Sequence, residues 1–358
     1  MKKKIIFVLF SLLLASSLLF AEGQKENSYI QKQQETKIFV DSLGREVEVP
    51  TNIERVAPSG NLSQQIIYSI VPDEMVGWGS RPTAEMQKYF KQEVVNRPVY
   101  GAFYGKKANL NMEALLVADP QVVVDIGEIK GSVEEMTKDL DDLQAKLNIP
   151  VVFIASYLDD MGSTYRALGD LLNKKEAGEE RAEYCDQTVM EAKEVLTTIS
   201  EDSKPTIYYG TEQDGLTSFP KGSFHTQVFP LVGVNNIVEG KGNSIKVSPE
   251  QLIIWNPEYI ILTGEGGYES FLSEDSPFKD LTAMKENHIF VIPEGPFNWI
   301  DRPPAMNRVL GMKWLGNLIY PDKFNYDIKQ EAKTFYSLFY NYDLSDQELD
   351  ELLKNSTR

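Results

Sequence analysis

Met112-Glu-Ala-Leu-Leu-Val-Ala-Asp-Pro-Gln-Val-Val-Val-Asp-Ile-Gly-Glu128 aligns without a gap on Pro249-Glu-Gln-Leu-Ile-Ile-Trp-Asn-Pro-Glu-Tyr-Ile-Ile-Leu-Thr-Gly-Glu265. The offset is constant at 137, so Glu113 answers to Glu250, Pro120 to Pro257 and Gly127 to Gly264. Each copy reads as a short helix, a proline that ends it, a buried strand, and a glycine turn at that strand's carboxyl end. Ligands of open α/β sheets bind beyond the carboxyl ends of the strands, and two such units facing one another would enclose a cleft. The plainer reading is that helix–proline–strand units simply recur in α/β chains.

Outward from this repeat, Val151-Val-Phe-Ile154, Thr206-Ile-Tyr-Tyr209 and Ile289-Phe-Val-Ile292 are runs of the same kind, bounded by Pro, Gly, Asp or Asn. They alternate with amphipathic helical stretches, which predicts an α/β protein with two Rossmann-like lobes of largely parallel sheet. Midway, Lys174 to Ile199 is almost continuous helix former without proline. Leu171, Leu172, Ala182, Cys185, Val189, Ala192 and Leu196 can form one apolar stripe there, with Gly178 a weak point costing roughly 1 kcal/mol. Read as a single long α-helix joining the lobes, this segment (159–200) separates an N-terminal lobe at 38–158 from a C-terminal lobe at 201–358, the ligand cleft lying between them. Cys185 falls on its buried side as a small packing residue.

Lys2, Lys3 and Lys4 precede an apolar run from Ile5 to Leu14 and a shorter one ending near Ala21. That is the layout of a secretory signal peptide over residues 1–21. A retained membrane anchor is the competing reading, and the stretch is at the short end for a span. A periplasmic or extracytoplasmic protein is expected, with a polar, flexible tether over 22–37 and no cysteine to take a lipid. The 358 residues are 42% hydrophobic and 25% charged, ordinary for a globular chain of two domains. With 53 acidic against 36 basic residues the charge is −17, which makes nucleic acid a poor partner. One cysteine and two histidines leave no disulfide framework and no Cys-rich or multi-His metal site. No intrinsic cofactor and no metal-ligand set is expected.

Val40-Asp-Ser-Leu-Gly-Arg-Glu-Val-Glu-Val-Pro50, Ile53-Glu-Arg-Val-Ala57, the two repeats, Gly233-Val-Asn-Asn-Ile237 and Leu310-Gly-Met-Lys-Trp-Leu-Gly-Asn-Leu-Ile-Tyr-Pro321 occur in an order that resembles a known family. It is the periplasmic substrate-binding proteins of ABC importers for siderophores, haem and cobalamin. The resemblance covers nearly everything from Ile38 onward. It implies two α/β lobes joined by one long helix, and a monomer that delivers an iron chelate to a membrane permease with its cytoplasmic ATPase. It also implies a permease-docking glutamate on each lobe, and the matching positions are Glu113 and Glu250. Charges on both lobes can report lobe spacing to a partner through charge-assisted bonds, while carboxylates near helix N-termini are also favoured for their own sake. The segment Gly295–Pro304, with Trp314–Pro321 and Phe335–Tyr340, is similar to molybdate- and tungstate-binding relatives as well. Iron chelate and oxyanion therefore both stand.

Four loops are expected to face the cleft. Ser59, Gly60 and Asn61 enter a helix whose free N–H groups favour an anion, or they serve as its cap. Trp78 and Tyr104, in glycine-flanked loops, offer flat faces for a macrocycle, or pack in the core. His225 could donate to an anion or ligate haem iron, or be structural. Phe297, Asn298, Trp299 and Arg302 form a proline-stiffened wall with a permanent cation, Arg302 either forking onto a ligand oxyanion or pairing with Asp301.

The competing class is a secreted hydrolase. The sequence contains no Gly-x-Ser-x-Gly, no His-Glu-x-x-His and no Gly-x-x-x-x-Gly-Lys-Ser/Thr. Only the repeat would bring Glu128 and Glu265 together as an acid–base pair, so the chain reads as a binding protein and not an enzyme.

Overall fold

The computed structural model describes residues 35–103 and 108–358. The expected signal peptide, most of the tether and Tyr104 lie outside these. The remainder, Thr36–Arg358, is one compact unit. A short antiparallel pair opens it, β1 (Thr36–Val40) and β2 (Glu46–Pro50). Thr36 and Lys37 pair with Pro50 and Val49, so the last two residues assigned to the tether belong to β1.

The N-terminal lobe is a parallel sheet of order β3-β4-β5, from β3 (Val56–Pro58), β4 (Val122–Gly127) and β5 (Val151–Ala155). Helices α1 (Asn61–Ile70), α2 (Met112–Val117) and α3 (Val133–Leu147) cover it. Every residue of β4 is buried, which is why its sequence reads as an apolar run broken only by Asp125. The C-terminal lobe is a parallel sheet of order β11-β10-β6-β8: β6 (Thr206–Gly210), β8 (Asn235–Asn236), β10 (Tyr259–Leu262) and β11 (Ile289–Val291). A small antiparallel pair, β7 (Thr217–Ser218) with β9 (Ile245–Lys246), lies beside it. All five strand runs read from the sequence are strands, and parallel pairing places their carboxyl ends on one edge of each sheet.

Between the lobes, the helix-rich segment is two helices, α4 (Met161–Leu171) and α5 (Lys175–Leu196). The chain turns at Asn173, whose φ of 56° is the left-handed conformation asparagine tolerates. The long α5 carries the expected stripe, with Ala182, Cys185, Val189 and Ala192 all buried. Burial pushes the Cys185 thiol well above its ordinary range, in keeping with a packing role. Gly178 has a use that propensity does not reveal: a Cβ there would sit 2.7 Å from the Tyr165 carbonyl oxygen and 3.1 Å from Gly169 Cα, so α4 and α5 touch backbone to backbone.

After β11, α6 (Pro249–Trp255) and α7 (Gly264–Leu272) having flanked β10, the chain ends in α8 (Asn307–Ile319), α9 (Ile328–Tyr340) and α10 (Asp346–Leu352). These return to the N-terminal lobe. From α9, Tyr340 meets Phe90 at 5.9 Å and Tyr336 meets Tyr89 at 5.6 Å between ring centroids, and Phe297, just before these helices, meets Phe90 at 6.1 Å. One hydrophobic cluster consequently includes Val56 and Val124 of one sheet together with Ile207, Ile261 and Phe290 of the other.

Candidate functional site

β3 ends in Pro58, and the next residues start α1 at Asn61. Gly60 is the N-cap and offers no side chain, so the first N–H groups of α1 have no side-chain cap. Ser59 is buried and turned away from that role: its hydroxyl donates to Asp125 Oδ1 and lies 3.0 Å from Ser63 Oγ. Ser63 in turn accepts the Ile126 N–H at 2.9 Å, tying the helix start to β4. Burial pushes the Asp125 carboxyl above its usual range, against the opposing pull of the Ser59 hydroxyl and Lys130.

These groups form one wall of a cavity of about 700 Å³, and Phe219, Phe224, His225 and Asn243 of the C-terminal lobe form the other. His225 stacks on Phe219 with centroids 4.3 Å apart. Its Nδ1 is 2.7 Å from Oδ1 of Asp301, a fully buried carboxylate, and its ring remains 31% exposed. A carboxylate on Nδ1 fixes the ring's orientation and leaves Nε2 as the group available to a ligand. Behind it, Arg308 is fully buried and donates to the Phe224 carbonyl at 3.0 Å and to Gln227 Oε1 at 2.9 Å. Burial lowers its pKa to about 10 while the charges of Asp301, Glu128 and Asp159 oppose that, so it stays a cation. One oxygen of Asp301 and one guanidinium nitrogen of Arg308 have no hydrogen-bond partner among the described residues.

A second concavity, of about 570 Å³, is lined by Met86, Tyr89, Pro296 and Leu352 with Glu294 and Glu348. It shares no lining residue with the cleft, and the helix start it borders, that of α10, is closed by the capping box of Ser345 with Glu348, so the cleft with its uncapped helix start is the better candidate.

A family model described as periplasmic binding protein matches residues 66–296. The chain belongs to the periplasmic binding protein family. Such a binding protein is the extracytoplasmic, non-enzymatic component of an ABC importer and works with a membrane permease and an ATPase. Among solved structures, an ABC transporter solute-binding protein from Sulfurospirillum deleyianum is 28% identical with a TM-score of 0.79, the match covering 88% of this chain and 99% of that one. A periplasmic solute-binding protein from Veillonella parvula is 26% identical with a TM-score of 0.73, covering 90% and 98%. The molybdate-binding periplasmic protein of a Haemophilus influenzae ABC transporter shares the fold at 20% identity and a TM-score of 0.65, covering 86% and 99%. Among curated proteins there is no match. Among the described residues no helix of the binding protein is long and apolar enough to cross a membrane.

Of the residues expected to face ligand, the structure brings Ser59, Gly60, Asn61 and His225 to the cleft. The aromatic wall must be corrected. Trp78 is fully buried, donates to the Val94 carbonyl at 2.8 Å and packs edge-on against Phe90. Trp299 is equally buried, with its indole N–H 3.4 Å from the Tyr336 hydroxyl, and Phe297 packs on Phe90. Asn298 is buried in the turn, where its Oδ1 accepts the N–H groups of Ile300 and Asp301. Each ring gains more from full burial than from a solvent-filled cleft.

Arg302 pairs with Glu212 at 3.0 Å rather than with Asp301, and its guanidinium lies 5.7 Å from the Phe219 ring. Both residues hold left-handed backbone, φ 57° for Arg302 and 67° for Glu212, and the pair is partly exposed beside Phe219. Sequence reasoning missed Asp125, Phe219, Phe224 and the buried Asp301–Arg308 charges. Glu113 and Glu250 are both exposed, in the first turns of α2 and α6.

Proposed function

We propose that this binding protein takes an iron chelate of the siderophore, haem or cobalamin type in the cleft and hands it to its permease by docking through Glu113 and Glu250. The observation that carries this reading is the cavity of about 700 Å³ with an uncapped helix start on one wall and the Phe219–Phe224–His225 face on the other. Such a volume suits an organic ligand. The aromatic face supplies apolar contact, His225 Nε2 a polar contact or an iron ligand, and the N–H groups at Asn61 a seat for the chelate's anionic oxygens. A second reading, a molybdate- or tungstate-type oxyanion, draws on the same uncapped helix start beside Ser59 and Asn61.

Thermal unfolding against ferric catecholates and hydroxamates, haemin, cobalamin, molybdate and tungstate separates the two. A ligand at about 100 times its Kd adds about 2.7 kcal/mol, a shift of several degrees. The expected result is a shift with one organic chelate, lost in His225→Ala. A shift with the oxyanions alone would replace the chelate by the second reading.

A further inference from the structure

The two most exposed large apolar side chains of the described residues are Val117, 79% exposed, and Ile254, 75% exposed. They are mates in the internal repeat, at the same offset of 137. Their neighbours Leu116 and Ile253, also mates, are 49% and 44% exposed. On α2, Glu113, Leu116 and Val117 stand at i, i+3 and i+4 and therefore share one face, as do Glu250, Ile253 and Ile254 on α6. The opposite face of each helix holds a fully buried leucine, Leu115 or Leu252. The backbones match too: Asn111 and Ser248 cap the helices, and Asp119 and Asn256 follow them with φ of 48° and 44° before a proline.

Leu115 and Leu252 are apolar because a core demands it. Nothing inside the fold makes that demand of Val117 and Ile254, whose β-branched side chains are also indifferent helix formers. Single exposed apolar residues need no explanation. The same pair, in the same register, beside the same carboxylate and on both lobes is a different matter. Elsewhere the copies differ in character: Ala118 answers to Trp255 and Asp125 to Leu262.

We propose that the faces Glu113–Leu116–Val117 and Glu250–Ile253–Ile254 are two copies of one docking element, and that their occupant is the permease, presenting the same surface twice as an apolar recess beside a cationic side chain. This rests on the reading that the protein docks through both lobes. It adds that apolar contact carries part of the affinity, with the glutamates steering and fixing register.

The test uses the importer's own permease–ATPase pair in lipid nanodiscs and reads its affinity for wild type, Val117→Asn, Ile254→Asn, the double variant, and Glu113→Lys with Glu250→Lys. Each asparagine should weaken binding by about ten-fold, the double variant by more, at unchanged melting temperature because the sites are surface. The loss should persist at raised salt, where the effect of the glutamates shrinks. Wild-type affinity in the asparagine variants with weakened binding in the lysine variants would overturn the apolar element and leave docking through the glutamates standing. Wild-type affinity in both sets would remove docking through these helices altogether. A wild type that sediments as a dimer, with a monomeric double variant of unchanged permease affinity, would assign the faces to a second copy of the chain and overturn the proposal.

Discussion

Asp125 occupies an awkward place for a carboxylate, inside a fully buried strand and beside the helix start where an anion would bind. Burial raises its pKa, so its ionised form is disfavoured in the fold relative to the unfolded chain. A raised carboxyl favours the folded state at low pH, and that contribution is lost as pH rises from about 3.8 through the folded value. Ionisation also places a negative charge next to any bound anion. Affinity for an anionic ligand should therefore fall as pH rises from about 3.8 through the raised folded value, and Asp125→Asn should flatten both curves. Calorimetric titration across that range checks the binding limb; parallel pH profiles of wild type and variant would exclude Asp125 as the source. The neighbouring His225 illustrates what a sequence conceals at this scale. Its residue type suggested a ligand contact, but the buried Asp301 that orients it is 76 positions away, and no local pattern links them.

At the scale of elements, Gly178 shows why a helix-propensity argument can point the wrong way. Gly178→Ala would gain about 1 kcal/mol in an isolated helix. Here the added Cβ would sit 2.7 Å from the Tyr165 carbonyl, a backbone atom that cannot swing aside, and overpacking of that kind costs roughly 1–3 kcal/mol. The expected net effect is destabilisation, read as a lower denaturant midpoint; a higher midpoint would mean that α4 and α5 separate freely. The five strands were legible because short β-branched runs between breakers have few alternatives, and the Asn111–Pro120 and Ser248–Pro257 helices because cap and proline bracket them. The turn at Asn173 was not, since good helix formers flank it on both sides. The cleft was half legible. The Ser59–Asn61 helix start follows from strand order, whereas the direction a ring faces does not follow from its being a ring. Trp78 and Trp299 went to the core, and Phe219 and Phe224, unremarkable beside Pro220 and Gly222, went to the cleft.

For the whole molecule, the cluster shared by both sheets and the contacts of Phe90 with Phe297 and Tyr340 join the lobes along a second seam besides α5. Opening the lobes widely would expose those rings, at roughly 25 cal/mol for each Å² uncovered. Ligand binding should accordingly produce little change in the radius of gyration by small-angle scattering. A compaction as large as that of a hinge-bending sugar binder would show that the seam parts. Lobe spacing then stays within narrow limits, which is what a permease reading Glu113 and Glu250 together would require.

The same seam constrains the order in which the chain can assemble. Tyr89, early in the fold, rests on Tyr336, and Tyr165, between the lobes, on Phe339, so both find their neighbours in its penultimate helix. A nascent chain lacking α9 has the strands of its N-terminal sheet but an open flank where those rings belong. Contacts of such long sequence separation form late and slowly. The N-terminal half must therefore wait, incompletely packed, until nearly the last residues have arrived.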